Sequence, residues 1–171
     1  ISSYHAEFPG YYASGDAGVI DEDGYVQVLE RTDDVINVAA HRLSTGNIEA
    51  VVKAMAGVSD AAVVGAADDF KGQVPLALVV FNADANGKEK EIMEQIKVAV
   101  RNEVGAIASL GGIAAVDQLP KTRSGKVLRK NIRGLADGKP ALVPGTCENP
   151  QALDLIEAAL KGMGYPKATA A

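Results

Sequence analysis

The sequence has no tryptophan, few aromatic residues and a single cysteine, and these scarcities disfavour several kinds of protein. Aromatic residues make up 5% of the chain, whereas proteins that bind single-stranded nucleic acid stack the bases on aromatic rings. A net charge of -5 also disfavours nucleic-acid binding in general. Cys147 has no second cysteine to form an internal disulfide with, which is typical of a reducing compartment.

Long apolar runs and targeting patterns are also missing. The chain has no run of 18 apolar residues, so the sequence predicts no membrane span. It lacks a signal-peptide pattern, and together with the lone cysteine this predicts a cytoplasmic protein. The two histidines, His5 and His41, have no metal-spaced partners beside them, which predicts no bound metal.

What is present is the composition of a globular protein, with 47% hydrophobic and 23% charged residues. A length of 171 residues fits one domain, or one domain with a fragment of another. Residues 1–31 are predicted as β structure with a hairpin turn at 21–24. Because this segment is too short to bury a sheet alone, we expect it to be the end of a larger preceding domain.

Apolar periodicity after residue 33 predicts strands interleaved with helices, and hence an α+β or α/β sandwich. The first predicted helix lies around 48–55, capped by Ser44 or Thr45 and ended by Gly57. Strands are predicted at 61–65, 74–81 and 112–116, helices at 88–104 and 126–135, and a linker at 136–149. A last helix follows Asn149-Pro150, with Leu153, Ile156 and Leu160 facing inward.

A basic loop at residues 120–127 carries the strongest chemical signal. From Lys121 to Arg133 there are six Lys or Arg and no Asp or Glu, in a chain that is acidic as a whole. Lys126, beside a glycine, would carry a mobile positive charge with three N–H donors. Such a group is suited to binding a nucleotide phosphate. The alternative is a solvated basic helix start. The loop is not a P-loop, because Pro120 and Val127 stand where that motif needs glycine and a hydroxyl.

Three motifs stand in order along the chain and together resemble the acyl-adenylate-forming enzymes. They are YASGD at 12–16, ERTDDVI at 30–36 continuing to HRL at 41–43 and to Ile48-Glu49, and PKTRSGK at 120–126. Within that superfamily the chain resembles the C-terminal part of short-chain acyl-CoA synthetases that activate acetate or propionate. INV at 36–38, HRLST at 41–45 and KGQ at 71–73 are most similar to the propionate branch.

The resemblance implies an α+β fold, as the small mobile C-terminal domain that swings over a large N-terminal adenylation domain. It divides the chain into residues 1–32 as the edge of the large domain, 33–136 as the AMP-binding enzyme C-terminal domain, and 137–171 as an extension with a helix. The implied reactants are Mg-ATP, coenzyme A and a short-chain carboxylate, and the implied partner is the chain's own N-terminal domain, with no nucleic acid or membrane. The 171 residues alone are expected to be inactive.

The same resemblance implies roles for the nucleotide-binding residues. Lys126 matches the catalytic lysine of adenylation, Asp16 the carboxylate that holds the ribose hydroxyls, and Arg31 an arginine that also reaches the ribose. The alternatives are a Gly-Asp turn at Asp16 and a surface ion pair at Arg31. Arg42 resembles an arginine near the phosphate, whose planar fork suits bidentate contact.

Further roles concern the change between two half-reactions. Asp33 matches the hinge residue, which absorbs a large backbone rotation. Ala40 stands where short-chain members usually carry glycine, beside the passage of the pantetheine arm. Arg101 resembles a contact to the phosphate of coenzyme A, with a solvated helix arginine as the alternative.

The sequence leaves two alternative functions open, and it predicts two regulatory partners. The chain could load a carrier-protein thiol instead of coenzyme A, or it could be a non-catalytic nucleotide-binding or interaction module. The pattern around Lys126 resembles the site modified in short-chain synthetases, so a lysine acetyltransferase and a deacetylase are expected to act there. Acetylation would remove the charge that the chemistry needs.

Overall fold

The computed structural model describes residues 8–140 and 143–167. Over these residues the chain forms an α+β fold with two sheets and four α-helices, which confirms the predicted class. The part of the predicted β structure at residues 1–7 lies outside the described residues. Among the described helices, none combines the length and apolar character needed to cross a membrane.

The first sheet is the predicted hairpin. Strands β1 (Asp16–Ile20) and β2 (Val26–Arg31) pair antiparallel. Asp21 closes the turn between them, because its carboxylate accepts from the backbone N–H groups of Asp23 at 3.0 Å and Tyr25 at 2.8 Å. A short 3₁₀-helix, Thr32–Asp34, then leads into the second sheet.

The second sheet has five strands. They are β3 (Val35–Val38), β4 (His41–Ser44), β5 (Val58–Asp68), β6 (Gly72–Phe81) and β7 (Gly112–Ala115). The order is β4-β3-β6-β5, and β7 runs parallel to β6. The sequence patterns predict neither β3 nor β4. Each has four residues, and the turn between them contains Ala39 and Ala40, at φ +47° and +69°, in place of the usual Asn-Gly signal.

Four helices cover the two faces of this sheet. They are α1 (Thr45–Lys53), α2 (Glu89–Glu103), α3 (Arg129–Ala136) and α4 (Gln151–Gly162). Alternate residues of β5 and β6 point to opposite faces, so Val63 and Val79 pack with α1 and α2, whereas Val64 and Leu76 pack with α3 and α4. Both faces of β5 and β6 are therefore buried between helices.

Two local expectations are corrected by the structure. The helix predicted from residue 126 begins at Arg129, because Lys126 and Val127 instead fold back against the loop's first arm. Ser44 occupies the N-cap position of α1, but its side chain makes no capping hydrogen bond. The predicted inward face of α4 is confirmed, since Leu153, Ile156 and Leu160 are all buried.

Candidate functional site

The basic loop is a small hairpin with Lys126 just beyond its turn. Lys121 and Val127 form an antiparallel bridge, and the N–H of Thr122 donates to the Lys126 carbonyl at 2.8 Å. Gly125, with φ +80°, donates from its N–H to the Thr122 carbonyl at 2.8 Å. The Lys126 side chain is exposed. The backbone under this lysine is therefore ordered by hydrogen bonds, while its ammonium group remains accessible.

Side-chain hydroxyls hold the inside of this turn. The hydroxyl of Thr122 accepts from the Lys126 N–H at 3.1 Å and lies 2.9 Å from the hydroxyl of Ser124. Such local bonds between hydroxyls and backbone are what turn-favouring Ser and Thr residues supply. They fix the point from which the lysine side chain extends.

An acidic residue on β5 anchors the first arm of the loop. The ammonium of Lys121 lies 2.6 Å from one oxygen of Asp60, and Lys53 lies 2.9 Å from the other. Burial raises the pKa of Asp60, but the hydrogen bonds from Lys121 and Lys53 outweigh it and hold that pKa below its usual value. Lys121 is therefore engaged in an ion pair at the base of the loop, whereas no acidic side chain among the described residues pairs with Lys126.

A second ion pair fixes the start of α3, directly after the loop. The Arg129 guanidinium donates to both oxygens of Glu49, with Nε at 2.8 Å and Nη2 at 2.6 Å. Glu49 is 4% exposed, and its hydrogen bond and charge raise the pKa of Arg129. Arg129 belongs to the basic cluster read from the sequence, but the structure shows that it holds the domain together.

Glu49 also accepts a hydrogen bond from the edge of the sheet. Strand β5 is an edge strand, so its outward N–H groups lack strand partners. The Val63 N–H donates to Glu49 Oε1 at 2.9 Å, and the Ala61 N–H donates to Asp60 at 2.8 Å. The sequence patterns predict neither the ion pair of Glu49 with Arg129 nor its hydrogen bond from Val63. The available signal was an acidic residue next to Ile48 on the buried face of α1.

The two candidate ribose-binding residues lie together at one end of the β1–β2 hairpin. Asp16 and Arg31 are direct cross-strand partners. Gly15, with φ +77°, precedes them, and a Cβ at Gly15 would stand 3.2 Å from the Arg31 guanidinium. The carbonyl of Gly15 accepts from the N–H and hydroxyl of Thr32 at 2.8 and 2.9 Å. The hairpin thus presents a carboxylate and a guanidinium side by side.

The remaining candidates lie on other elements. Asp33 is in the 3₁₀-helix between the two sheets, where a hinge is expected. Ala40 is in the β3–β4 turn, which the Ala39 N–H ties to the Lys71 carbonyl at 2.8 Å. Arg42 is exposed on β4, and Arg101 is exposed in the last turn of α2. The residues assigned to adenylation and to thioester formation are thus carried by separate elements.

The left-handed backbone at Ala40 gives a physical reason for the glycine that resembling enzymes usually carry there. Its φ of +69° is a conformation that glycine adopts freely and alanine only with strain. The residue is exposed, so the methyl group is not confined within this chain. Alanine at this position therefore strains the backbone of the turn.

Similarity to known proteins extends over most of the chain. Residues 47–126 match the family model for the AMP-binding enzyme C-terminal domain. The mitochondrial acyl-CoA synthetase short-chain family member 3 of Mus musculus is 48% identical over 158 residues, which are 92% of this chain and 23% of that protein. The acetyl-coenzyme A synthetase of Mycolicibacterium smegmatis is 41% identical over 149 residues, which are 87% of this chain and 16% of that protein. The chain thus spans about a quarter or less of these relatives.

Solved structures match the fold as well. The ATP-bound MatB from Rhodopseudomonas palustris has a TM-score of 0.61 and 28% identity, covering 77% of this chain and 25% of that chain. The Brucella canis acyl-CoA synthetase has a TM-score of 0.56 and 32% identity, covering 73% of this chain and 23% of that chain.

Proposed function

Since this chain carries an AMP-binding enzyme C-terminal domain and its homologues are short-chain acyl-CoA synthetases, we propose that it serves an ATP-dependent acid–CoA ligase. The ligase activates a short-chain carboxylate as an acyl adenylate and then transfers the acyl group to coenzyme A. Propionate is the favoured acid and acetate the next. The observation that carries the proposal is the exposed Lys126 on a turn whose backbone is held by hydrogen bonds.

Lys126 acts in the first half-reaction. An oxygen of the carboxylate attacks the α-phosphorus of ATP, the bond to the β-phosphate oxygen breaks, and pyrophosphate leaves. Because both reactants are anions, they repel each other until a cation lies between them. The Lys126 ammonium offsets this repulsion and aligns the two groups. A lysine on a glycine-containing turn can enter and leave a closed site, which an element buried in the core could not do.

Asp16 and Arg31 hold the nucleotide. The Asp16 carboxylate accepts hydrogen bonds from the two ribose hydroxyls, and the neighbouring Arg31 reaches the same sugar. Their cross-strand pairing keeps both groups at one end of the hairpin. Arg42 supports the phosphates.

Thioester formation uses a second orientation of the domain. Rotation at Asp33 withdraws Lys126 and brings the β3–β4 turn to the entrance for coenzyme A. The thiolate of coenzyme A attacks the acyl carbon of the adenylate and AMP leaves. Ala40 borders the pantetheine arm, and Arg101 contacts a phosphate of coenzyme A.

The β1–β2 hairpin is proposed to pack against the large N-terminal adenylation domain. Five of its apolar side chains are 51–74% exposed, namely Val19, Ile20, Tyr25, Val26 and Val28. So many exposed apolar groups on one hairpin are typical of a surface that another body covers. The relatives' greater length leaves room for such a domain.

A pyrophosphate-exchange assay on the full-length enzyme tests this function across formate, acetate, propionate and butyrate. We expect exchange to be fastest with propionate, and Lys126→Ala to lower it by about 10²–10³-fold. The same variant should still make thioester from a supplied acyl adenylate. Equal losses in both half-reactions would mean that Lys126 is structural. Activity with a phosphopantetheinyl carrier protein and none with coenzyme A would instead favour a carrier-loading enzyme.

Lys126 is also proposed as the site of reversible acetylation. A lysine acetyltransferase would move the acetyl group of acetyl-CoA to Nζ, releasing a proton and coenzyme A, and a deacetylase would hydrolyse the amide. The exposure of the side chain permits access, and the product has no charge to bring the two anions together. Full acetylation at Lys126, verified by mass spectrometry, with unchanged pyrophosphate exchange would contradict this.

A further inference from the structure

A short segment near the C-terminus, residues 146–149, lies along the first arm of the basic loop. Thr122 and Cys147 form an antiparallel bridge. The Arg123 N–H donates to the Thr146 carbonyl at 3.2 Å, and the Glu148 N–H donates to the Lys121 carbonyl at 2.9 Å. We name residues 146–149 the bracing segment. The sequence composition predicts a linker here, yet the segment is bonded to the first arm of the loop by an isolated bridge and two further backbone hydrogen bonds.

Asn149 joins the bracing segment to the loop by its side chain. Its Oδ1 accepts from the Lys121 N–H at 2.8 Å, while its Nδ2 donates to the Leu119 carbonyl at 2.9 Å and to the Gln118 side-chain oxygen at 3.2 Å. A backbone N–H can only donate and a carbonyl can only accept, so these two partners fix the orientation of the amide. One side chain thus holds the backbone on both sides of Pro120.

The other side of Asn149 is tied to a buried helix. Its carbonyl accepts from the Ala152 N–H at 3.0 Å as α4 begins. Ala152, Leu153 and Ile156 of that helix are buried in the core beneath α3 and the sheet. The position of the loop is therefore coupled to α4, which lies outside the residues that match the family model.

We propose that Asn149 is a positioning residue for Lys126, and that the bracing segment makes the C-terminal helix part of the adenylation machinery. This inference rests on the proposed function of Lys126. Without the Asn149 amide, the Lys121 N–H and the Leu119 carbonyl lose their hydrogen bonds to the Asn149 side chain, and the Lys126 side chain no longer extends from a fixed point. Displacing a charge by about 1 Å can cost about 10²-fold in rate.

The test compares half-reactions in the full-length ligase. Asn149→Ala should lower pyrophosphate exchange about 10- to 100-fold, with thioester formation from supplied acyl adenylate and coenzyme A changed less than about twofold. Asn149→Asp keeps the acceptor for Lys121 but turns an oxygen toward the Leu119 carbonyl, so it should show a smaller loss with the same selectivity. Gln151→Ala, at an exposed position two residues away, should change neither rate.

The outcomes separate this inference from the proposed function. Lys126→Ala is measured in parallel, and if it leaves pyrophosphate exchange intact, the proposed function itself fails. If Lys126→Ala abolishes exchange while Asn149→Ala slows both half-reactions equally or slows neither, Asn149 is structural or irrelevant and only the positioning role is overturned. Should Asn149→Ala not yield folded protein, as judged by circular dichroism, the selectivity of Asn149→Asp decides the question by the same criterion.

Discussion

The Glu49–Arg129 pair should be a main determinant of stability in this domain, and we predict that Glu49→Gln lowers the free energy of unfolding by about 3 kcal/mol. Removing one partner of a buried pair costs about 3–5 kcal/mol, because the other charge stays buried without compensation. The lower end applies here, since the Arg129 side chain keeps 23% of its surface exposed. For a chain of this size each kcal/mol shifts the melting temperature by about 2–4 °C, so we expect a fall of roughly 6–12 °C.

A double-mutant cycle identifies the origin of this loss. Glu49→Leu and Arg129→Met should each destabilise the chain more than their combination does, because the double variant leaves no unpaired buried charge. The combination should still be less stable than the natural chain. The Val63 N–H, which donates to Glu49 Oε1, would keep no partner, and an unsatisfied buried N–H costs about 1–3 kcal/mol.

Urea unfolding followed by circular dichroism gives the free energy of unfolding of Glu49→Gln and of the four proteins in the cycle, provided that the slope of the transition is unchanged. Lys97→Met is the matched control, because its ion pair with Glu94 lies on the exposed side of α2, and it should cost less than about 1 kcal/mol. A loss below about 1 kcal/mol for Glu49→Gln would refute the reasoning, since it would mean that water screens the Glu49–Arg129 pair like a surface pair.

Three further perturbations follow from the structure. Ala40→Gly should raise the free energy of unfolding by about 1 kcal/mol in urea, because it relieves the strain of the left-handed backbone. Ala40→Leu should lower thioester formation while pyrophosphate exchange persists. An unchanged thioester rate would mean that Ala40 does not border the pantetheine arm. Asp33→Pro fixes φ near -65°, so one half-reaction should survive far better than the other, and similar residual rates would place the hinge elsewhere. The Lys167 ammonium and the N–H groups of Lys71 and Phe70 lower the pKa of Asp68 to about 2. The Asp68 carboxylate should therefore stabilise the fold above about pH 4, and this contribution should be lost as the pH falls toward 2. NMR titration of Asp68 with and without Lys167→Met checks the pKa shift.

Long, strongly periodic segments could be predicted from the sequence. The apolar repeat of α2 and the inward residues of α4 follow directly from helical spacing, and both are observed. Strand β6 was found because its apolar run is long enough to be buried on both faces. The β1–β2 hairpin was found because Asp-Gly at its turn is a local signal.

Elements that depend on distant contacts could not be predicted in this way. Strands β3 and β4 are short, and alanines at positive φ conceal their turn. The start of α3 was placed at residue 126 because an apolar residue in the arm of a hairpin resembles the first turn of an amphipathic helix. The sequence places Arg129 in a basic cluster that either binds phosphate or begins a solvated helix, because its partner, Glu49, is 80 residues away along the chain. Local periodicity contains no information about such pairs.

The candidate site shows how one lysine can be both mobile and well placed. In the proposed function, adenylation requires the Lys126 charge at a defined point, whereas thioester formation requires the same residue to leave. The fold meets these two requirements at different residues of the loop. The ammonium is exposed, and Gly125 allows the turn, whereas Lys121 is fixed by Asp60, Arg129 by Glu49 and the first arm by Asn149. These anchors come from β5, α1 and the bracing segment, so they join the loop to three separate parts of the fold. Under the proposed function, we expect rotation at Asp33 to place or withdraw the Lys126 charge together with the loop, without refolding of the loop between half-reactions.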